Sequence, residues 1–282
     1  MLGCGWAPIA LVLMASPVTD ETLKKEYGRF EGVWSFSQVV VNGVKQQASL
    51  PFPANKMIAL KDGRYVVVQG SRITYGTVKL DPSSSPKHIE VTITQGAAKG
   101  NTTSAIYDLS ASTYKFCGSL RGKDRPSALA SAPGSATLLH VMKREKQTPL
   151  EALIELNRKE LAGTWQATSF EREGDKATDD QLKDIQLLID PAGITKSLIG
   201  GKVFLAGPST LDPTQDPMIL DVTYTEGVNK GKTSLGIFKM EEGELTICRR
   251  PPDKPRPTDF SSAPGSGTIL IHYKRLKSNG SK

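Results

Sequence analysis

Cysteine is scarce in this chain, and its placement rules out one whole class of protein. Of three cysteines, Cys4 lies in an N-terminal apolar stretch, while Cys117 and Cys248 stand 131 positions apart. A disulfide framework needs several cysteines close together in a small domain, so none is expected. Cys117 and Cys248 are instead expected as small buried residues on strands. Histidine is as rare: His88, His140 and His272 share no metal-ligand spacing with one another or with a cysteine. Zinc needs three or four converging ligands, so neither a metal site nor a cofactor is expected. Aromatic residues make up only 6% of the chain, and composition therefore announces no greasy pocket. The net charge of +7 comes without a run of five basic residues or a basic helix. Mild attraction to anionic surfaces is expected, but not specific nucleic-acid binding. No apolar run is long enough for a membrane span: Trp6 to Ala15 would rise about 1.5 Å per residue against a core of about 30 Å.

That apolar run does suit the core of an export signal, with small residues at Ala15 and Ser16 for cleavage. Its flank is atypical, the amino terminus being the only positive charge before it. Residues 1–19 are accordingly expected to be a signal peptide, with an uncleaved apolar N-terminal segment as the alternative, and the protein to be exported to the periplasm, the cell surface or the medium.

An internal repeat dominates the rest. Shifted by 131 positions, Leu80 to Arg144 aligns without a gap on Leu211 to Arg275, and 25 of the 65 pairs are identical. The same offset matches Gly32-Val33-Trp34 to Gly163-Thr164-Trp165 far upstream. The expected organisation is a first module over residues 24–146, a helical linker opening the second module over 147–162, the second module over 163–277 and a tail over 278–282.

Thr148, Pro149 and Glu151 have the spacing of a capping box with proline at the first helical position. Leu150, Leu153, Ile154 and Leu161 then form one apolar face. A second cap, Thr178-Asp179-Asp180, predicts a short helix near Gln181 to Ile185. Elsewhere the pattern is strands separated by turn formers. In the first copy these span 34–41, 64–68, 89–94, 104–109, 113–118 and 137–142. In the second they span 187–189, 220–225, 234–240, 244–248 and 268–273. Short strands at such spacings predict a mainly β fold, a small antiparallel barrel or sandwich in each copy, preceded by a short helix.

Candidate chemistry is thin. Gly227 to Thr233 (GVNKGKT) imitates a phosphate loop, but it has three residues between its glycines where four are needed, and it falls between strands. It reads as a hairpin turn. No serine sits in a Gly-x-Ser-x-Gly elbow. Asp81 and Asp212 precede prolines and are expected to cap their own turns. Glu90 and Asp221 keep an acid at one strand position. Lys123, Arg125 and Pro126 match Lys254, Arg256 and Pro257, each ahead of Ser-Ala-Pro-Gly-Ser, so the four cations form a candidate loop surface for anionic groups. The alternative is a rigid loop with solvated cations. Nothing assembles a nucleophile, a base and a stabiliser.

A Gly-x-Trp on the first strand after a short helix resembles the lipocalin and calycin barrels. That resemblance implies that Trp34 and Trp165 each close one barrel end. A basic residue of the last strand, Lys143 or Arg144 and Lys274 or Arg275, would pack across the indole, a contact of about 0.5–2 kcal/mol. More closely, the pattern is similar to an uncharacterised repeat domain abundant in planctomycete bacteria. Its marks appear in the second copy as LAGTW, LDP, GVNKGKT, LTIC, PRPTDF and APGSG, while the first departs at Asn101, Ala128, Leu129 and Ala136. The resemblance implies two tandem lipocalin-like barrels and brings no established activity. The expected function is a non-enzymatic exported binding module for a small apolar or amphipathic ligand. The alternative is a structural or interaction module of the cell envelope, whose partner would be an envelope protein. A hydrolytic enzyme is the third reading.

Overall fold

The computed structural model describes residues 19–46, 55–122 and 124–276. The N-terminal segment with its expected cleavage site, Lys123, and residues 277–282 lie outside the described residues. The chain divides into two compact units, with the main boundary between Glu145 and Lys146.

In the first module Thr19 caps α1 (Asp20–Phe30), its hydroxyl accepting the Thr22 amide at 3.2 Å. Asp20 and Glu21 in the first turn and Arg29 in the last complement the helix dipole. The strands are β1 (Gly32–Val41), β2 (Val44–Lys45), β3 (Lys56–Ala59), β4 (Arg64–Gln69), β5 (Arg72–Asp81), β6 (Lys87–Ile93), β7 (Thr102–Leu109), β8 (Thr113–Ser119) and β9 (Thr137–Arg144). Strand β2 only extends a hairpin from β1. The other eight run antiparallel, each beside the next, and β9 returns to pair with β1, placing Arg144 opposite Trp34 and Leu138 opposite Val41. The sheet is thus a closed eight-stranded barrel.

The second module repeats this plan. Its helix α2 (Pro149–Leu161) carries the expected capping box: the Glu151 amide donates to Thr148 Oγ1 at 3.3 Å, and the Thr148 amide to the Glu151 carboxylate at 2.8 Å. After β10 (Gly163–Arg172) and β11 (Asp175–Lys176) comes α3 (Asp179–Lys183), capped by Thr178. Then come β12 (Ile185–Ile189), β13 (Ile194–Ile199), β14 (Lys202–Asp212), β15 (Met218–Thr223), β16 (Glu226–Gly227), β17 (Thr233–Ser234), β18 (Gly236–Glu241), β19 (Glu244–Arg249) and β20 (Ile269–Arg275). Strand β20 closes on β10 with Arg275 opposite Trp165, again giving eight barrel strands, with β11, β16 and β17 as side additions. Both first strands are bulged at one place, after Phe36 and after Ala167. The phosphate-loop mimic is the turn joining β16 to β17.

The strand pattern fails in instructive places. Strands β3, β5, β13 and β14 are not expected from the residue pattern, and β10 is implied only by the Gly-x-Trp resemblance. Gly76 interrupts β5, and Gly207-Pro208 interrupts β14, and both interruptions look like turns until the neighbouring strands are in place. The stretch expected as one strand over 234–240 breaks at Leu235, where β17 ends and β18 begins.

Candidate functional site: the interior of the first barrel

Each barrel is sealed at one end by its Gly-x-Trp. Trp34 is fully buried and donates from Nε1 to the Phe30 carbonyl at 3.0 Å. The Arg144 guanidinium lies 4.1 Å from the centre of its ring. From there Arg144 also donates to the Ala111 carbonyl at 2.8 Å, the Glu31 carbonyl at 2.6 Å and the Arg29 carbonyl, tying off the C-terminus of α1. In the second module Trp165 donates to the Leu161 carbonyl at 2.8 Å, Arg275 stacks at 4.1 Å, and Arg275 bonds the Glu160 and Ala162 carbonyls. Of the paired basic residues on each last strand, the stacking partners are therefore Arg144 and Arg275, not Lys143 and Lys274. The motif's glycine has a reason too: a Cβ at Gly32 or Gly163 would overlap the arginine.

Above this seal the barrels differ. The first holds a cavity of about 670 Å³ open at the rim, whereas the void among the described residues around Arg249 in the second is about 10 Å³. The floor of the first cavity is Phe36, Met57, Tyr65, Tyr114 and Met142; its middle is Val67, Val78, Val91, Phe116 and His140; its rim holds Gln69, Arg72, Ser119, Leu120 and Leu138. In the 131-residue register, Gly118 on β8 becomes Arg249 on β19, and Ile93 becomes Tyr224. Arg249 and Tyr224 both turn into the second barrel, where Arg249 Nη1 donates to the Tyr224 hydroxyl at 3.1 Å. Leu205, in place of Thr74, packs with Val222 and Tyr224 in a buried cluster. At Gly118, by contrast, a Cβ would come within 2.9–3.0 Å of the Phe116 ring and 3.4 Å of Thr103. Smaller side chains at these three positions leave the first cavity open where Arg249, Tyr224 and Leu205 fill the second.

The cavity wall is electrically quiet. Burial pushes His140 down to about 4 and Tyr65 up to about 12, so both are neutral near pH 7. His140 stacks on Phe116 with ring centres 5.9 Å apart and meets the edge of Phe36 at 4.9 Å. Among the described residues neither the His140 ring nitrogens nor the Tyr65 hydroxyl has a hydrogen-bond partner. They are unpartnered polar groups on the wall below the rim, beside the hydroxyls of Thr74 and Thr103.

The cationic loops are arranged differently from a solvated surface. Arg125 bends inward to the Ile89 carbonyl at 3.1 Å and the Ala105 carbonyl, with Glu90 at 3.6 Å. Arg256 takes Asp221 in a two-pronged pair, its second nitrogen at 2.9 Å from Oδ2, and donates to the Gly236 carbonyl at 2.7 Å. The hydrogen bonds to Asp221 hold its guanidinium pKa above the usual value. These arginines pin the long loop before the last strand onto the barrel wall, and Glu90 and Asp221 are their counter-charges. Lys254 is exposed, and Lys123 lies outside the described residues.

Other repeated motifs prove to be fasteners of the same loop. Cys117 Sγ donates to the Ala130 carbonyl at 3.2 Å, and Cys248 Sγ to the Ser261 carbonyl at 3.6 Å. Both cysteines are free and fully buried, and burial pushes their thiols up, Cys248 to about 11. In the Ser-Ala-Pro-Gly-Ser blocks, Ser131 donates to the Thr137 carbonyl and Ser262 to the Thr268 carbonyl, both at 2.8 Å. Away from that loop, Asp81 caps the β5–β6 turn by accepting from Ser83 and Ser84, and Asp212 caps the β14–β15 turn by accepting from Thr214 and Gln215. The hydrogen bonds from Ser83 and Ser84 hold Asp81 down to about 2.

No family model matches this sequence, and no curated protein does. A structural match is a crystal structure of a protein of unknown function from the DUF3598 family of Nostoc punctiforme, at 12% identity, covering 90% of this chain and 99% of that one. Its TM-score is 0.23, so the likeness carries no argument.

Proposed function

We propose that the protein is an exported, non-enzymatic binding protein whose first barrel carries a small apolar or amphipathic molecule, while the second barrel serves as a filled structural partner. The observation that carries this reading is the cavity of about 670 Å³ in the first barrel. It falls within the usual range of ligand pockets, about 300–1,000 Å³. Its wall is mainly apolar and aromatic, with a few polar groups (Tyr65, Thr74, Thr103 and His140 inside, Gln69, Arg72 and Ser119 at the rim), which is the composition of a carrier site. The Gly-x-Trp seal with its stacked arginine supports a lipocalin-like ancestry for both modules. The wider set of repeated motifs supports the planctomycete-type repeat family.

Native mass spectrometry of gently purified protein tests the reading. A co-purifying small molecule, lost on substituting Gly118→Arg, is the expected result. A clean apo mass from several expression hosts would sink it. The second reading, an envelope interaction module acting through its loops, draws support from the filled second barrel. Unchanged pull-down partners after Lys254→Ala would count against it.

A further inference from the structure

The first cavity has one formal charge on its wall, and it stands at the mouth. Arg72 opens β5 directly opposite Gln69, the last residue of β4, so both belong to the hairpin at the open rim. Arg72 is exposed, and it makes no hydrogen bond or ion pair among the described residues. Most of the other arginines around the two barrels are held: Arg125, Arg144, Arg158, Arg249, Arg256 and Arg275 all bond carbonyls, carboxylates or hydroxyls. Among the described residues no carboxylate lines the cavity to oppose Arg72. Deeper in, the wall is apolar or neutral, so a second charge would be buried there without a partner, which is costly.

The second module supplies an internal comparison. There the residue that opens the matching hairpin strand is Lys202, opposite Ile199, and the interior beneath it is narrowed by Arg249 and Tyr224. A cation at this hairpin is kept in both copies, and the open interior beneath it distinguishes the first.

Resting on the carrier reading above, we infer that the first barrel takes an amphipathic anion head-out, its carboxylate or phosphate paired with Arg72 at the rim and its apolar body packed against Phe116, His140 and the floor. The pair is water-exposed, so its contribution is modest and falls with added salt.

The test uses the full chain with a neutral, environment-sensitive dye, Nile red, displaced by laurate, dodecyl phosphate, dodecanol or dodecyltrimethylammonium, each below its critical micelle concentration. Laurate or dodecyl phosphate should bind about five- to tenfold more tightly than dodecanol, a preference that shrinks as salt is raised. Arg72→Gln should bring the anions to the dodecanol level and leave dodecanol within about twofold. Whichever anion binds more tightly identifies the head group as carboxylate or phosphate. Equal binding of anion, alcohol and cation, or anion binding indifferent to Arg72→Gln, overturns the head-out assignment while leaving the carrier reading intact. Failure of every amphiphile to displace the dye, or displacement that survives Gly118→Arg, overturns the carrier reading itself.

Discussion

At Glu26 the first module buries a carboxylate that the second replaces with Asn157. Glu26 on α1 accepts from Lys87 at 2.7 Å, Arg29 at 2.9 Å and the Tyr107 hydroxyl at 3.0 Å, locking the helix to the barrel. Asn157 instead donates to Leu153 of its own helix at 2.9 Å. Burial opposes ionisation of Glu26, yet the bonds and charges of Lys87, Tyr107 and Arg29 outweigh it and hold its pKa below the ordinary 4.5. A depressed carboxylate pKa stabilises the folded state on the alkaline side. The first module should hold this stabilisation in full above about pH 4.5 and lose it as the pH falls through the lower folded value. Glu26→Gln should cost about 1–3 kcal/mol at pH 7 and flatten that acid limb in urea titrations. An unchanged acid limb in the variant would show that other carboxylates carry it. Apart from the Glu26–Arg29 pair, three residues apart on one helix, this network is not legible in the sequence, because Lys87 and Tyr107 meet Glu26 only once β6 and β7 pair beneath α1. The self-capping turns of Asp81 and Asp212 were legible, since an Asp before a proline and serines needs only its neighbours.

Among elements, β8 and its counterpart β19 decide which barrel is hollow. Their sequences, TYKFCGS and ELTICR, share the buried cysteine, and the residue after it, Gly118 or Arg249, contributes most visibly to the difference, together with Ile93 or Tyr224. Replacing Arg249→Gly together with Tyr224→Ile should open a space in the second barrel like that in the first. The expected cost is about 2–5 kcal/mol of stability in that module, with uptake of Nile red that the parent's second barrel does not show. A destabilised module that stays dye-free would mean that its strands collapse into the gap. This contrast could have been found in the sequence by comparing the two copies at inward positions, two residues apart, along each strand. It was missed because a glycine on a strand reads first as a turn or a bulge. The helices α2 and α3 were legible for the opposite reason: their caps are local, and Thr148 and Thr178 bond within their own first turns. The loop arginines sit between these cases. Their retention in both copies was visible, but their inward direction needed Asp221 and the carbonyls of β6, β7 and β18 to be in place.

For the whole molecule, each sheet satisfies its own backbone, since the first strand of each module pairs with that module's last. Residues 19–146 and 147–276, made separately, should therefore each unfold in one cooperative transition. Trp34 and Trp165 would give each half its own near-ultraviolet circular dichroism signal. A half that lacks that signal or precipitates would show that the modules need each other. The duplication was plain in the sequence, because identity at a fixed offset needs no knowledge of contacts.

Ring closure of this kind also bears on how two such similar neighbours avoid becoming entangled during synthesis. Arg144 must find the Glu31 carbonyl 113 positions earlier in the chain, so the last contacts of the first ring are also among its most distant. Until they form, the emerging first copy has two unmatched borders, and strands of its twin, alike in sequence, are the nearest substitutes. Once they form, those borders are gone. A newborn second copy then meets a finished neighbour with no strand position to offer, and the barrel's seam protects its own repeat from strand exchange.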